Sequence, residues 1–174
     1  MEEMEKMEKM EKKEKKHLPL YGIGPMLCWP MAVLTAAGIR LSVRGIIPGM
    51  IGNRPVRVLL LIVGILLILE GIVLFLCADL NGNLQDNIKA NQLKTNGSYK
   101  FVRNPCYCLF LLSCTGAICI AHNYVLFILP VIFWLVMTIV LINTEEKWLK
   151  DLYGEEYTEY CSKVNRCIPW FQKR

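Results

Sequence analysis

Apolar residues run almost unbroken through four stretches of the chain, residues 21–39, 56–78, 105–121 and 124–142, and polar positions gather between and after them. A helix needs about 17 to 25 apolar residues to cross roughly 30 Å of hydrocarbon, so each stretch predicts a membrane-spanning helix. Pro25 and Pro30 fall in the first stretch and predict a distorted helix, because each removes a backbone donor. The third opens at Pro105, a good first helical position because the missing N–H has no partner to lose. Within it Ser113, Ala117 and Ala121 recur every four residues, the small-residue spacing that lets membrane helices approach closely.

The third and fourth stretches are separated only by "HNY", which is short enough to demand a tight turn. Their lengths of 17 and 19 residues make the two arms climb similar distances, so the pattern brings Arg103 and Glu145 together at one face. After the fourth arm comes "TEEKWLKDLYGEEYTEYCSKVNRCIPW", where Leu149, Tyr153, Tyr157, Tyr160 and Val164 recur at helical spacing around a potential break at Gly154. That stripe predicts an amphipathic helix along the membrane surface. The fold class is therefore all-α: a polytopic membrane bundle of about four transmembrane helices with a C-terminal amphipathic cytosolic helix.

Composition agrees with a bilayer as the solvent, since 174 residues with a mean hydropathy of +0.36 are the length of one domain but too apolar for an ordinary soluble one. The net charge of +5 is spread around the apolar spans without an aromatic-interleaved stripe, which points to a membrane rim and not to nucleic acid. Residues 1–16, "MEEMEKMEKMEKKEKK", form a low-complexity charged tail without signal-peptide grammar, and residues 17–174 form the membrane domain. Four of the twenty basic residues, Arg40, Arg44, Arg54 and Arg57, flank the connector between the first two spans, and sixteen lie in the segments expected to share the other side. The positive-inside rule then makes this a multi-pass protein with both termini cytoplasmic, unless the first span fails to cross.

Of the eight cysteines, Cys28, Cys77, Cys114 and Cys119 sit in apolar runs as small hydrophobes, and Cys161 and Cys167 read as reduced thiols. Cys106 and Cys108 lack the second pair that a zinc site needs, so no metal is expected. Glu70 is an ionisable group at membrane depth, either lining a cavity or making a helix-packing hydrogen bond. Glu145 and Glu146 suit a helix N-terminus, where the backbone dipole favours carboxylates. Facing Tyr99, Arg103 and Tyr107 across the hairpin mouth, they also supply the carboxylates and aromatic faces that a cationic cofactor needs.

"TNGSYKFVRNPCY", a helical hairpin, and then "EEKWLKDLYGEEYTEY" together resemble the isoprenylcysteine carboxyl methyltransferase and phospholipid methyltransferase superfamily of integral-membrane enzymes, over about residues 84–170. The resemblance implies S-adenosylmethionine bound on the cytosolic side, and a lipid-like or prenylated substrate, its carboxylate or amine the methyl acceptor, admitted from among the membrane lipids. It assigns cofactor contacts to Leu93, Lys94, Tyr99, Asn104, Pro105, Cys106, Tyr107 and Glu145, and catalytic roles to Arg103 and Glu146. Two departures matter. Asn104 stands where the family has histidine and cannot titrate near neutrality. Leu141 stands where the isoprenylcysteine enzymes hold the substrate carboxylate with an arginine, leaving Arg103, Arg54 or Arg57 as replacements. An amine acceptor would need a base, for which Glu70 and Glu146 are candidates.

Two other functions compete. The C-terminal segment is also similar to membrane sterol reductases, but the acidic pair would repel the phosphates of NADPH. A non-enzymatic membrane scaffold acting through the charged tail has no need of tyrosines, Arg103 and two glutamates at one hairpin mouth.

Overall fold

Helices form over nearly the stretches that the hydrophobic pattern predicts. The structure is a computed structural model that describes residues 23–80 and 93–169. The charged tail at 1–16 and residues 81–92 of the polar loop lie outside the described residues. Among the described residues there are four apolar helices: α1 (Gly24–Val43), α2 (Arg54–Leu80), α3 (Pro105–Ala121) and α4 (Ile128–Asn143). Two short polar helices follow, α5 (Glu145–Tyr153) and α6 (Glu155–Lys163). By length and composition, Gly24–Val43, Arg54–Ala78 and the continuous stretch Val125–Tyr153 suffice to cross a membrane, and Pro105–Ala121 is a shorter apolar helix.

The central element is α3, packed against α2 on one side and against α1 and α4 on the other. Its buried residues, including Tyr107, Cys108, Leu111, Cys114, Gly116 and Ile118, point around most of its circumference, as a helix that is apolar all round should. One stripe of α1 faces this core, Cys28, Met31, Thr35, Gly38 and Ser42, and α4 contributes Phe133, Met137 and Leu141. Pro25 sits in the first turn of α1, and Pro30 lies inside a helix that continues through it. The outward faces carry exposed apolar side chains such as Trp29, Val33, Leu59, Leu66 and Ile139, the composition that lipid tails match.

The closest helix approach is made by glycine. A Cβ on Gly64 of α2 would stand 2.6 Å from the carbonyl oxygen of Gly116, and a Cβ on Gly116 would stand 2.5 Å from that of Gly64. Seven residues further along α2, Gly71 lies against the backbone of Leu109. Gly116 is not part of the Ser113, Ala117, Ala121 spacing, so the tightest seam runs beside that pattern and not along it.

At the end away from the acidic pair, the turn between α3 and α4 is closed by Asn123, which is fully buried. Its amide donates to Ser42 Oγ at 2.7 Å and to the Pro48 carbonyl at 3.1 Å, and its Oδ1 accepts from the Val125 N–H at 2.9 Å. His122, in the left-handed region at φ 54°, and Gly49, at φ 108°, shape the chain around it. Asn123→Leu leaves several buried polar groups without partners and is expected to cost about 2–4 kcal/mol. A fall in thermal midpoint in detergent, with ligand binding per folded molecule unchanged, is the expected measurement.

With Ile23 beside Glu145 and Ser42 beside Asn123, α1 traverses the whole bundle. Arg40 and Arg44 close α1 at the Asn123 end, and Arg54 and Arg57 open α2 there, so these four basic residues gather at the end of the bundle opposite the acidic pair. The two ends of the described chain lie together at the opposite end.

Candidate functional site

The site end is built by a short parallel pairing. Val102, wholly buried, bridges to Asn165, and the N–H groups of Arg103 and Asn104 donate to the carbonyls of Asn165 and Arg166 at 2.8 and 3.1 Å. This draws the segment after α6 under the start of α3. From the other arm, Leu141 accepts the Thr144 N–H and the Thr144 hydroxyl donates to the Val140 carbonyl at 2.7 Å, after which Glu145 and Glu146 begin α5. Both hairpin ends therefore meet, as the arm lengths predict.

The two glutamates are used differently. Glu145 turns toward the helices: the Tyr107 hydroxyl donates to its Oε1 at 2.6 Å and the Ile23 N–H donates to the same oxygen at 3.0 Å. Glu146 turns toward the C-terminal segment and is held by two guanidiniums. Arg166 donates through Nε to Oε1 and through Nη2 to Oε2 at 2.9 Å, and Arg103 Nη2 lies 3.3 Å from Oε1. These side chains are only 8% (Arg103), 14% (Glu146) and 21% (Arg166) exposed. Hydrogen bonding to Glu146 raises the basicity of Arg166. Arg103 also donates through Nη1 to Cys161 Sγ, and its buried Nε has no hydrogen-bond partner among the described residues.

A third group supports the first two. Leu93 and Tyr99 pack with Tyr157, Tyr160 and Val164, and the Tyr160 hydroxyl donates to the Tyr99 carbonyl at 2.6 Å. Burial pushes the Tyr157 and Tyr160 phenols upward, so both stay protonated donors at neutral pH. Lys94 donates to the Ala78 carbonyl at 3.0 Å and lies 5.4 Å above the Tyr99 ring, and Ser98 donates to the Leu74 carbonyl at 2.7 Å. The loop before α3 is thereby pinned to the end of α2. The apolar stripe expected to lie on the membrane surface instead covers Leu93 and Tyr99, and it is split at Gly154, where φ is 60°.

Of the expected site residues, Arg103, Tyr107, Glu145 and Glu146 converge at the mouth, and the Asn104 amide donates to the Arg166 carbonyl at 3.4 Å. Pro105 is buried at the first turn of α3, and Cys106 beside it is exposed. Arg54 and Arg57 cannot stand in for the arginine absent at Leu141, because they start α2 at the Asn123 end. Glu70 is exposed on the flank of α2, one turn from Leu74, so it neither lines a buried cavity nor touches the acidic pair. Sequence reasoning missed Arg166 and Ile23. Arg166 was legible only as one basic residue in a mixed-charge tail, and Ile23 acts through its backbone N–H, which leaves no side-chain signal.

The profile of the phospholipid methyltransferase family matches residues 56–156. Methanethiol S-methyltransferase 1 of Bradyrhizobium diazoefficiens is 35% identical over 79 residues, which are 45% of this chain and 27% of that protein's length. No solved structure matches with significance.

Proposed function

The family match covers more than half of the chain, which therefore belongs to the phospholipid methyltransferase family, and on that premise we propose an S-adenosylmethionine-dependent methyltransferase acting on a lipid-like acceptor at the membrane surface. The observation that carries this reading is the pair of glutamates opposite Tyr107 and Arg103 at one hairpin mouth. The donor set fits the amino-acid end of the cofactor. Glu145 offers a carboxylate to an ammonium, and Arg103, whose buried Nε lacks a partner, offers a donor to a carboxylate. When bound, the cofactor supplies a methyl group activated on a sulfonium.

The chain's own residues supply position and dryness. Tyr107 and the Ile23 N–H fix the Glu145 carboxylate, and Glu146 fixes Arg103 against Arg166, so the polar contacts are set before any ligand arrives. Glu146 is better suited to holding the guanidiniums than to taking a proton, since a proton there would break both ion pairs. The absence of a cation at Leu141, fully buried in the core near Tyr107 and Met137, argues against a prenylcysteine carboxylate as acceptor. A lipid amine and, by likeness to the methanethiol enzyme, a small thiol remain the acceptor classes to assay.

Calorimetric titration of purified protein with S-adenosylmethionine and S-adenosylhomocysteine tests the reading. Binding is expected in the wild type and a loss of about tenfold or more in Glu145→Gln, which removes a charged partner worth ~2 kcal/mol. Absence of binding in the wild type, or full binding in the variant, would overturn it. Labelled-methyl transfer in membranes against extracted lipids, small thiols and carboxylates then identifies the acceptor.

A further inference from the structure

The end of the bundle away from the acidic pair carries charge that nothing in the fold uses. Arg40, Arg44, Arg54 and Arg57 are all exposed, and none makes a side-chain hydrogen bond or ion pair among the described residues. No Asp or Glu occurs between residues 40 and 57 or in the turn 122–127, and the first acidic position along α2 is Glu70, thirteen residues beyond Arg57 or about 20 Å away. This end therefore brings four guanidiniums and no counter-charge of its own. Helix stability accounts for half of them. Arg40 and Arg44 suit the C-terminal end of α1, but Arg54 and Arg57 stand at the N-terminal end of α2, where the backbone dipole disfavours cations.

The four arginines lie near one level. The Ile51 N–H donates to the His122 carbonyl at 2.8 Å and the Tyr124 N–H to the Gly49 carbonyl at 3.0 Å, which ties the connector between α1 and α2 to the turn that Asn123 closes. Arg40 and Arg44 stand two residues to either side of Ser42, and Arg54 follows Ile51 by three. From Ile23, beside Glu145, to Ser42 is nineteen residues of chain in helix, or about 28 Å. That nearly equals the roughly 30 Å of bilayer hydrocarbon, so with the acidic pair at one membrane surface the arginines reach the depth of the lipid phosphates at the other. Because α1 and α2 pack on different sides of α3, the charges are spread around this end and do not enclose a single small ligand. Val43, Ile46, Met50 and Tyr124 beside them are exposed and give the belt an apolar fringe. We infer that this belt docks the far end of the bundle on anionic phospholipid headgroups, its guanidiniums on the phosphates and its fringe in the acyl boundary.

The docking is independent of the function proposed above and of which leaflet this end meets. Purified full-length protein is exchanged in detergent against an equimolar mixture of phosphatidylcholine and phosphatidylglycerol with the same acyl chains, and native mass spectrometry counts the lipids that stay bound. Phosphatidylglycerol is expected to be retained about tenfold over phosphatidylcholine. Replacing all four arginines by glutamine is expected to cut that preference to about a third or less, whereas Lys147→Gln with Lys150→Gln, at the other end, should leave most of it. Thermal unfolding in phosphatidylcholine nanodiscs shows whether the fourfold variant is folded. If it is not, Arg40→Gln with Arg44→Gln and Arg54→Gln with Arg57→Gln are read separately, each expected to lose about half of the preference. Equal retention of the two lipids by the wild type, or an unchanged preference in the arginine variants, overturns the proposal. Release of the bound phosphatidylglycerol by inorganic phosphate or by a polyglutamate peptide also overturns it, assigning the belt to a soluble anion or to an acidic protein.

Discussion

Glu146→Gln is expected to slow methyl transfer by about a hundredfold and to destabilise the protein more than any other single change at the site mouth. In the wild type one carboxylate lies between two guanidiniums, and all three side chains are largely buried. Removing Glu146 leaves Arg103 and Arg166 facing each other without a counter-charge, a loss of about 3 kcal/mol once residual solvent access is allowed for. Repulsion then displaces Arg103, and a misplaced positioning group costs on the order of a hundredfold in rate. Arg166→Met provides the contrast. It leaves a neutral Arg103–Glu146 pair, so its cost should be near 1 kcal/mol and its activity loss modest. Thermal unfolding in detergent and the labelled-methyl assay measure both. Equal damage from the two variants would show that charge balance is not what orders this mouth.

The hydrophobic pattern located every apolar helix to within a few residues, because a bilayer-length run admits few other structures. The shared end of the α3–α4 hairpin was legible for the same reason: with "HNY" as the only connection, arm length leaves no freedom. The division of labour between the glutamates was not legible. Adjacent residues on a helix point about 100° apart, and which partner each finds depends on α1 and on the segment after α6. The stripe Leu149, Tyr153, Tyr157, Tyr160 and Val164 was read correctly as a periodicity, but its partner was not. A period states that one face is covered, and it does not distinguish lipid from Leu93 and Tyr99. Likewise the four-residue spacing on α3 announced close packing without identifying Gly116, because a single glycine has no period of its own.

That glycine carries the second large expectation. Gly116→Ala should cost about 3 kcal/mol, at the upper end of overpacking penalties, and Gly116→Leu should leave no folded protein. At Gly116, as at Gly64 across the seam, the nearest neighbour of the added carbon is a backbone carbonyl, so no rotamer relieves the contact and α2 must move as a body. Gly52→Ala, with nothing within 4 Å of its added carbon, is the control and should change stability by less than about 0.5 kcal/mol. A displaced α2 takes with it the Ala78 and Leu74 carbonyls that hold Lys94 and Ser98, and through them the loop leading to Arg103. Gly116→Ala is therefore expected to weaken S-adenosylhomocysteine binding in the fraction that remains folded, although the substitution lies about three helical turns from the mouth. Normal binding by a destabilised Gly116→Ala protein would mean that the loop is positioned by α6 through Tyr160 alone, with the α2–α3 seam serving only to hold the bundle together.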